Sequence, residues 1–472
     1  MPFANFDTSY QSLPERFYTR QMAAHAPAPK LIVFNETLAS TLGIDAHDPE
    51  VLARVFSGNE VPEGATPMAQ VYAGHQFGNF SPQLGDGRAL LIGEIVTPTG
   101  ARLDLQLKGS GRTPYSRSGD GKAWLGPVLR EYLLSEFMHA AGVPTTRALA
   151  AVTTGETVLR ERPLPGAILT RVASSHIRVG SFEYFAARRD FDGLRALYTY
   201  TRDRHYPGSK TPFEMLSEVI TRQVSLVAKW MGLGFIHGVM NTDNTTLSGE
   251  TIDYGPAAFM EAYHPDTLYS SIDQFGRYAF SNQSKIIVWN IAQLASALLA
   301  LEDNPEAELP KWQALIEAMP AQMEAARVKT FGRKIGLSAA TSEDAALIDG
   351  LLAAMAKGQA DFTNTFHALT KNTKPRDQFL EPRLFDEWQI TWQKRLSQEA
   401  DPIACMEAAN PYLVPRNHRV EEAIQAGKAG DYGPFHRLLK AICAPYSEAQ
   451  EFADLTTPAT DENAVRQTFC GT

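Results

Sequence analysis

The chain has 472 residues, 44% hydrophobic and 21% charged, with a net charge of −9. That length exceeds one ordinary core and points to two or three subdomains; the composition excludes wholesale disorder, and the acidic balance gives no support to nucleic acid as a partner. Three cysteines, Cys405, Cys443 and Cys470, form no C-x-x-C pair, no apolar run approaches a membrane span, and the first twenty residues lack the apolar centre of a signal peptide, so a cytoplasmic protein without a membrane partner is expected.

Residues 1–70 carry scattered aromatics and prolines with one helical stretch near Leu42, Val51-Leu52 following, and read as an extension packed on a domain. A glycine-punctuated segment over 68–88 precedes a strand over 89–96, a Thr-Pro-Thr-Gly turn, and a strand over 101–108 whose period-2 alternation ends on Lys108. Loop 109–122 is too rich in Gly, Ser and Pro for helix or strand. A helix over 125–141 sets Leu129, Tyr132, Leu133, Phe137 and Ala140 on one face, and Gly142-Val143-Pro144 stops it. Three short strands are predicted at 148–153, 157–161 and 167–172. Beyond Tyr184 the pattern is helical, and the apolar residues of 214–231 recur at helical spacing, giving a buried helix that leads into loop 237–256. Further helices are predicted around 284–302, 311–328, 341–370 and 383–398, with 375–382 as a connecting loop and the last ten residues as a mobile tail. The order is strands plus one helix, then mostly helices, which predicts two lobes with a cleft between.

Loop 237–256, HGVMNTDNTTLSGETIDYGP, carries most of the chemistry. A short hairpin turning at Ser248-Gly249 would bring the Asn244 amide oxygen to the Asp253 carboxylate, two hard oxygens suited to Mg²⁺ or Mn²⁺. Asp243 beside them suits a proton acceptor for an attacking hydroxyl. The same residues suit a plain turn, because Asn and Asp bond their own backbone. Upstream, Gly85-Asp86-Gly87-Arg88 before a strand suits either a phosphate-contacting loop or a simple turn. It is neither a dinucleotide fingerprint nor a Walker loop, since no G-x-G-x-x-G is present and Gly121-Lys122 is followed by Ala123. Lys108 at a strand end, with Glu131 in the following helix as its partner, matches the way phosphate-transfer sites hold a lysine. Arg171 and Arg178 sit seven apart where the lobes should join, and arginines suit bidentate phosphate contacts. His176 and His237 read as structural, since no second His or Cys has zinc-ligand spacing. The sequence order, glycine loop, strand lysine, helix glutamate, Asp-Asn and then Asp253-Tyr254-Gly255, weighs more than any single piece.

At this point the residues resemble one family, selenoprotein O, whose members are protein adenylyltransferases with the fold of a protein kinase. The resemblance rests on YAGHQFGNFSPQLGDGRA, LQLKGSGRTPYSRSGDGKA, LREYLLSEFMHAAGVPTTRALA, LTRVASSHIRVGSFEYF, HGVMNTDNTTLSGETIDYGP and GRYAFSNQ, across roughly residues 70 to 290. It implies an α+β, protein-kinase-like bilobal fold. Residues 1–70 would be an N-terminal extension, 71–175 a strand-rich N-lobe, and 176–472 a mainly helical C-lobe with family-specific extensions. It implies transfer of AMP from ATP to Ser, Thr or Tyr hydroxyls of proteins, the enzyme itself included, with the nucleotide flipped so that the α-phosphorus faces the acceptor. Carried onto this chain, Asp243 is the proton acceptor, and Asn244 and Asp253 hold Mg²⁺ or Mn²⁺. Lys108 with Glu131, Arg171 and Arg178 meet phosphates, while Gly85, Gly87, Arg88, Asp120 and Gly121 line the nucleotide site. UMP transfer from UTP, γ-phosphoryl transfer and a non-catalytic nucleotide-binding scaffold are the rival readings.

Two departures qualify the carry-over. Ordinary kinases place a carboxylate two residues after the loop histidine, where this chain has Val239. Some relatives bridge an activation-loop cysteine to a residue near the C-terminus, but segment 264–275 has none and Tyr269 stands about there. That argues against such a lock and leaves Cys470 for a mixed disulfide with a substrate protein.

Overall fold

The structure, a computed structural model, describes residues 3–45 and 48–469. Strands fill its first part: β1 (Tyr18–Arg20), β2 (Lys30–Phe34), β3 (Met68–Gln70), a small hairpin of β4 (Gly74–Gln76) and β5 (Asn79–Ser81), β6 (Ala89–Val96), β7 (Arg102–Lys108), β8 (Ala123–Trp124), β9 (Arg147–Leu159) and β10 (Pro163–Ala173). The main sheet runs β1-β3-β6-β7-β10-β9-β2, with β8 added on β10, and its pairings are antiparallel. Residues 1–70 thus supply both edge strands of that path.

Strand β7 explains why the sheet bears a site. Its alternation puts Leu105 and Leu107 into an apolar layer with Leu90, Val152 and Ile168, covered by α1 (Glu36–Leu42) and α2 (Pro49–Phe56). Period-2 alternation ordinarily sets polar residues toward water. Here the opposite face, Asp104, Gln106 and Lys108, is buried as well, because α3 (Leu125–Ala140) and the helical part cover it. Buried polar groups need partners, and those partners build the site. The α3 face predicted from spacing packs into the large core, where Leu129, Leu133 and Phe137 are fully buried. Each such side chain contributes roughly 1.5–3 kcal/mol.

The strands predicted at 148–153 and 157–161 are one strand, β9, which returns through Arg160–Arg162 into β10. The apparent break is Gly155, whose φ of +76° bends the strand within its length, where a side chain would collide with Ala28. Gly in a strand marks a kink or bulge as readily as a turn.

Beyond β10 the chain is nearly all helix: α4 (Val179–Ala187), α5 (Phe191–His205), α6 (Pro212–Gly232), α7 (Gln283–Leu299), α8 (Pro305–Glu317), α9 (Met319–Lys334), α10 (Ala345–Lys357), α11 (Phe362–Lys371), α12 (Pro382–Leu396), α13 (Pro402–Glu407), α14 (Asn417–Lys428) and α15 (Gly433–Ile442). The helix predicted over 311–328 is parts of α8 and α9, with Pro320 opening the second as proline suits a first turn. The one predicted over 341–370 is interrupted after Lys357, and the Asp361 carboxylate caps α11 by accepting from the Asn364 N–H. The α6 helix is as expected, capped by Thr211 and opened by Pro212.

Two short strands, β11 (Phe235–Ile236) and β12 (Ala258–Phe259), pair and close the ends of loop 237–257. The hairpin expected inside that loop does not form as a ladder. Thr246 instead bridges to Arg178 and Thr251 to Thr145, so the loop is held from outside. Of the last ten residues, expected to be mobile, 470–472 lie outside the described residues, and Thr468 is docked. Thr468 is buried, its N–H donates to the Tyr269 carbonyl at 2.7 Å, and its hydroxyl donates to the Pro256 carbonyl at 2.5 Å. Cys405 and Cys443 are free, and Cys470 lies outside the described residues.

Candidate active site

A cavity of about 880 Å³ opens where the polar face of the sheet meets loop 237–257. Eleven of the twelve residues singled out from sequence line it: Gly85, Gly87, Arg88, Lys108, Asp120, Gly121, Arg171, Arg178, Asp243, Asn244 and Asp253. Glu131 stands behind the wall, buried on α3, and accepts from Lys108 Nζ at 2.5 Å.

The centre is the Asp253 carboxylate. Its Oδ1 accepts from Lys108 Nζ at 2.5 Å and from Arg171 Nη1 at 2.6 Å, and its Oδ2 from Arg178 Nη1 at 3.0 Å. Burial opposes the charge, yet Lys108, Arg171 and Arg178 together hold this carboxyl well below the usual range. Register places the cations: Arg171 on β10 faces Gln106 on β7, and Lys108 ends the same strand. Arg178, at the start of α4, also donates to the Asp243 carbonyl at 2.7 Å and lies over the Tyr72 ring at 4.6 Å.

Asp243 sits in one turn of 3₁₀ helix, Thr242–Asn244. Gln76 Nε2 donates to its Oδ2 at 3.2 Å, while Oδ1 has no hydrogen-bond partner among the described residues. Burial pushes this carboxyl up to about 6, against the pull of Arg178. A buried carboxyl that lines a cavity, with its affinity for a proton raised, suits a proton acceptor. The Asn244 amide N–H donates to the Val239 carbonyl at 3.0 Å, which leaves its amide oxygen for a ligand. Asn244 and Asp253 therefore offer two hard oxygens. That is a partial donor set of the kind Mg²⁺ completes with phosphate and water. Among the described residues no three His, Cys, Asp or Glu side chains gather as a self-sufficient metal site.

The two histidines are braces. His237 Nε2 bonds the Ile252 carbonyl at 2.8 Å, and the Val239 N–H donates to its Nδ1, so the loop folds around the ring. His176 is buried against Asp104, which Arg204 also engages.

Several residues that shape the cavity carry no strong sequence signal. Asp86, between two glycines, accepts from the Gln70 N–H and Gln106 Nε2 and faces Arg178 at 3.9 Å. Loop 109–122, expected to be irregular, is tied down. Thr113 Oγ1 donates to the Asp86 carbonyl, Ser116 Oγ to the Gly87 carbonyl, and Arg160 clamps Asp120 at 2.8 and 3.0 Å. The lining includes seven cations, Arg88, Lys108, Arg117, Lys122, Arg160, Arg171 and Arg178, against four carboxylates. A locally cationic cavity in a chain of net charge −9 favours a multiply anionic ligand.

The comparisons with known proteins follow the same chemistry. Residues 2–443 match a family model described as protein adenylyltransferase SelO. Proteins named protein nucleotidyltransferase YdiU are similar over nearly the whole length: 57% identical in Ruegeria sp. strain TM1040 and 58% in Roseobacter denitrificans, each alignment covering 99% of both chains. The one from Bacillus cytotoxicus is 51% identical over 99% of this chain and 98% of its own. No helix among the described residues is long and apolar enough to cross a membrane.

Proposed function

The chain belongs to the SelO family of protein nucleotidyltransferases, and on that premise we propose that it moves AMP from ATP to Ser, Thr or Tyr hydroxyls of proteins, itself included, releasing pyrophosphate. The observation that carries this reading is the meeting of Lys108, Arg171 and Arg178 on Asp253 in the same cavity as Asp243 and Asn244. Asp243 takes the proton of the attacking hydroxyl on its carboxylate. The hydroxyl oxygen bonds to the α-phosphorus as the bond to the β-phosphate oxygen breaks. Lys108, steadied by Glu131, and Arg171 and Arg178 meet the phosphate charge from fixed positions, so little reorganisation is needed as charge shifts. Gly85, Gly87, Arg88, Asp120 and Gly121 line the nucleotide. Asn244 and Asp253 are the residues that would hold Mg²⁺ or Mn²⁺, which when bound neutralises phosphate charge. In this reading residues 71–175 and 176–472 are the two lobes of a kinase-like fold, with 1–70 as an extension.

The test is incubation with metal and ATP labelled at the α or the γ position. Label on protein from the α position is expected; label from the γ position alone overturns the proposal in favour of phosphoryl transfer. Because the relatives' name specifies only a nucleotidyl group, unlabelled UTP is added as competitor. ATP is expected to be the better donor, and preferential UMP labelling would reassign the nucleotide.

A further inference from the structure

Beside the cavity lies a second recess of about 560 Å³, and Phe77 and Ile272 line both, so the two adjoin. Its rim is apolar and faces water: Phe275 is 96% exposed and Ile272 55%. The turn that presents them is nevertheless rigidly held. Buried Asp273 accepts from the N–H groups of Arg277 at 2.9 Å and Tyr278 at 2.7 Å. The Tyr278 hydroxyl donates to Asn241 Oδ1 at 2.6 Å, and the Phe77 N–H donates to the same oxygen at 3.1 Å. Asn241 is two residues before Asp243, and Gln76, next to Phe77, bonds Asp243 itself. The recess wall and the proton acceptor are thus one hydrogen-bonded unit.

The charge of the recess is also one-sided. Arg277 and Lys285 line it, and neither forms an ion pair among the described residues. Arg277 is stacked at 4.9 Å from the Trp289 ring, with a buried Nε that has no hydrogen-bond partner there. The one carboxylate lining the recess, Asp273, is engaged by backbone N–H groups. Solvated aromatic surface gains nothing from folding, and grouped exposed apolar residues rimmed by charge mark binding surfaces.

We propose that this recess docks the acceptor segment of the protein substrate: an extended peptide with an apolar side chain and a carboxylate close to the hydroxyl that is modified. The inference rests on the function proposed above. The apolar side chain sits against Ile272 and Phe275, the carboxylate meets Arg277 and Lys285, and the chain runs on past Ile272 to present its hydroxyl to Asp243. Specificity of this kind comes from pairing a buried apolar anchor with complementary charge.

The test uses the full chain and short fluorescent peptides built around one Thr, flanked by Leu and Glu, by Leu and Lys, or by Gly alone. Fluorescence anisotropy is expected to show the Leu/Glu peptide binding about tenfold tighter than the other two, and Phe275→Asp combined with Lys285→Glu removing about tenfold, near 1.4 kcal/mol. Affinity for a fluorescent ATP analogue is expected to stay unchanged in the double variant. Equal affinities for the three peptides would overturn the proposal, as would wild-type binding and labelling of the Leu/Glu peptide by the double variant. Light scattering that finds a dimer broken by Phe275→Asp would also overturn it, in favour of a second copy covering the recess. Selective peptide binding without label transfer from ATP or UTP would support docking while refuting nucleotidyl transfer. Labelling indifferent to flanking residues would do the reverse.

Discussion

Asp253 occupies the left-handed backbone region, with φ 62°, where Asn and Asp are the side chains tolerated best after glycine. Asp253→Asn therefore keeps the backbone but strips the negative charge on which Lys108, Arg171 and Arg178 converge. Removing one partner of a buried ionic cluster costs about 3–5 kcal/mol. The variant is expected to lose that much in urea unfolding and to transfer no detectable nucleotide; wild-type stability would show that the three cations are satisfied elsewhere. Asp243→Asn separates the chemistry from the scaffold. Gln76 can still reach the side chain, nucleotide affinity is expected to persist, and transfer is expected to fall roughly 10²–10⁴-fold, the range of general base removal. Transfer at the wild-type rate would exclude Asp243 as proton acceptor. Of these side chains, those with an ordered neighbourhood of motifs (Lys108, Glu131, Asp243, Asn244, Asp253) were legible in the sequence. Asp86 and Gln76 were not, because what matters about each is a partner more than fifteen residues away or across the fold, and neither lies in a periodic pattern.

At the scale of elements, hairpin β4–β5 is the part that most directly governs Asp243. Gly74 packs so closely that an added Cβ would stand 2.7 Å from Asp243 Oδ1 and 2.9 Å from its Cβ. Gly74→Ala is expected to push the hairpin and the acid apart, at about 1–3 kcal/mol of overpacking. Transfer should drop far more than that loss of stability implies, read as labelling rate against urea midpoint on the same preparation. A proportionate fall in both would mean that the contact is only structural. Helices were the easiest elements to read, since α3 and α6 carry their apolar residues at helical spacing and Gly142-Val143-Pro144 stops the first. Strands were harder. Two strands were predicted where β9 is one, bent at Gly155, and the alternation of β7 did not reveal that its polar face is buried rather than solvated. Loop 109–122 has the composition of a flexible segment, yet Thr113, Ser116 and Asp120 fasten it through contacts that composition does not encode.

For the molecule as a whole, the arrangement joins distant segments through one loop. Loop 237–257 is closed by β11 and β12, bridged to Arg178 and Thr145, and reached from the far end of the chain by Thr468. That last contact couples the C-terminal segment to Pro256, three residues from Asp253, and to Tyr269 and Ser271 on the segment that carries Ile272. Because the hydroxyl of Thr468 donates to a buried carbonyl, Thr468→Val leaves that carbonyl without its partner at about 1–3 kcal/mol, and the shape is otherwise conserved. The loss is local rather than global, since the cores of the sheet and the helices do not depend on residues past 460. Hydrogen exchange is expected to accelerate over 256–272 in Thr468→Val while α3 and α6 keep their protection. Unchanged exchange over 256–272 would show that the tail lies on the loop without restraining it. A uniform increase across α3 and α6 would show that Thr468 supports the whole fold instead.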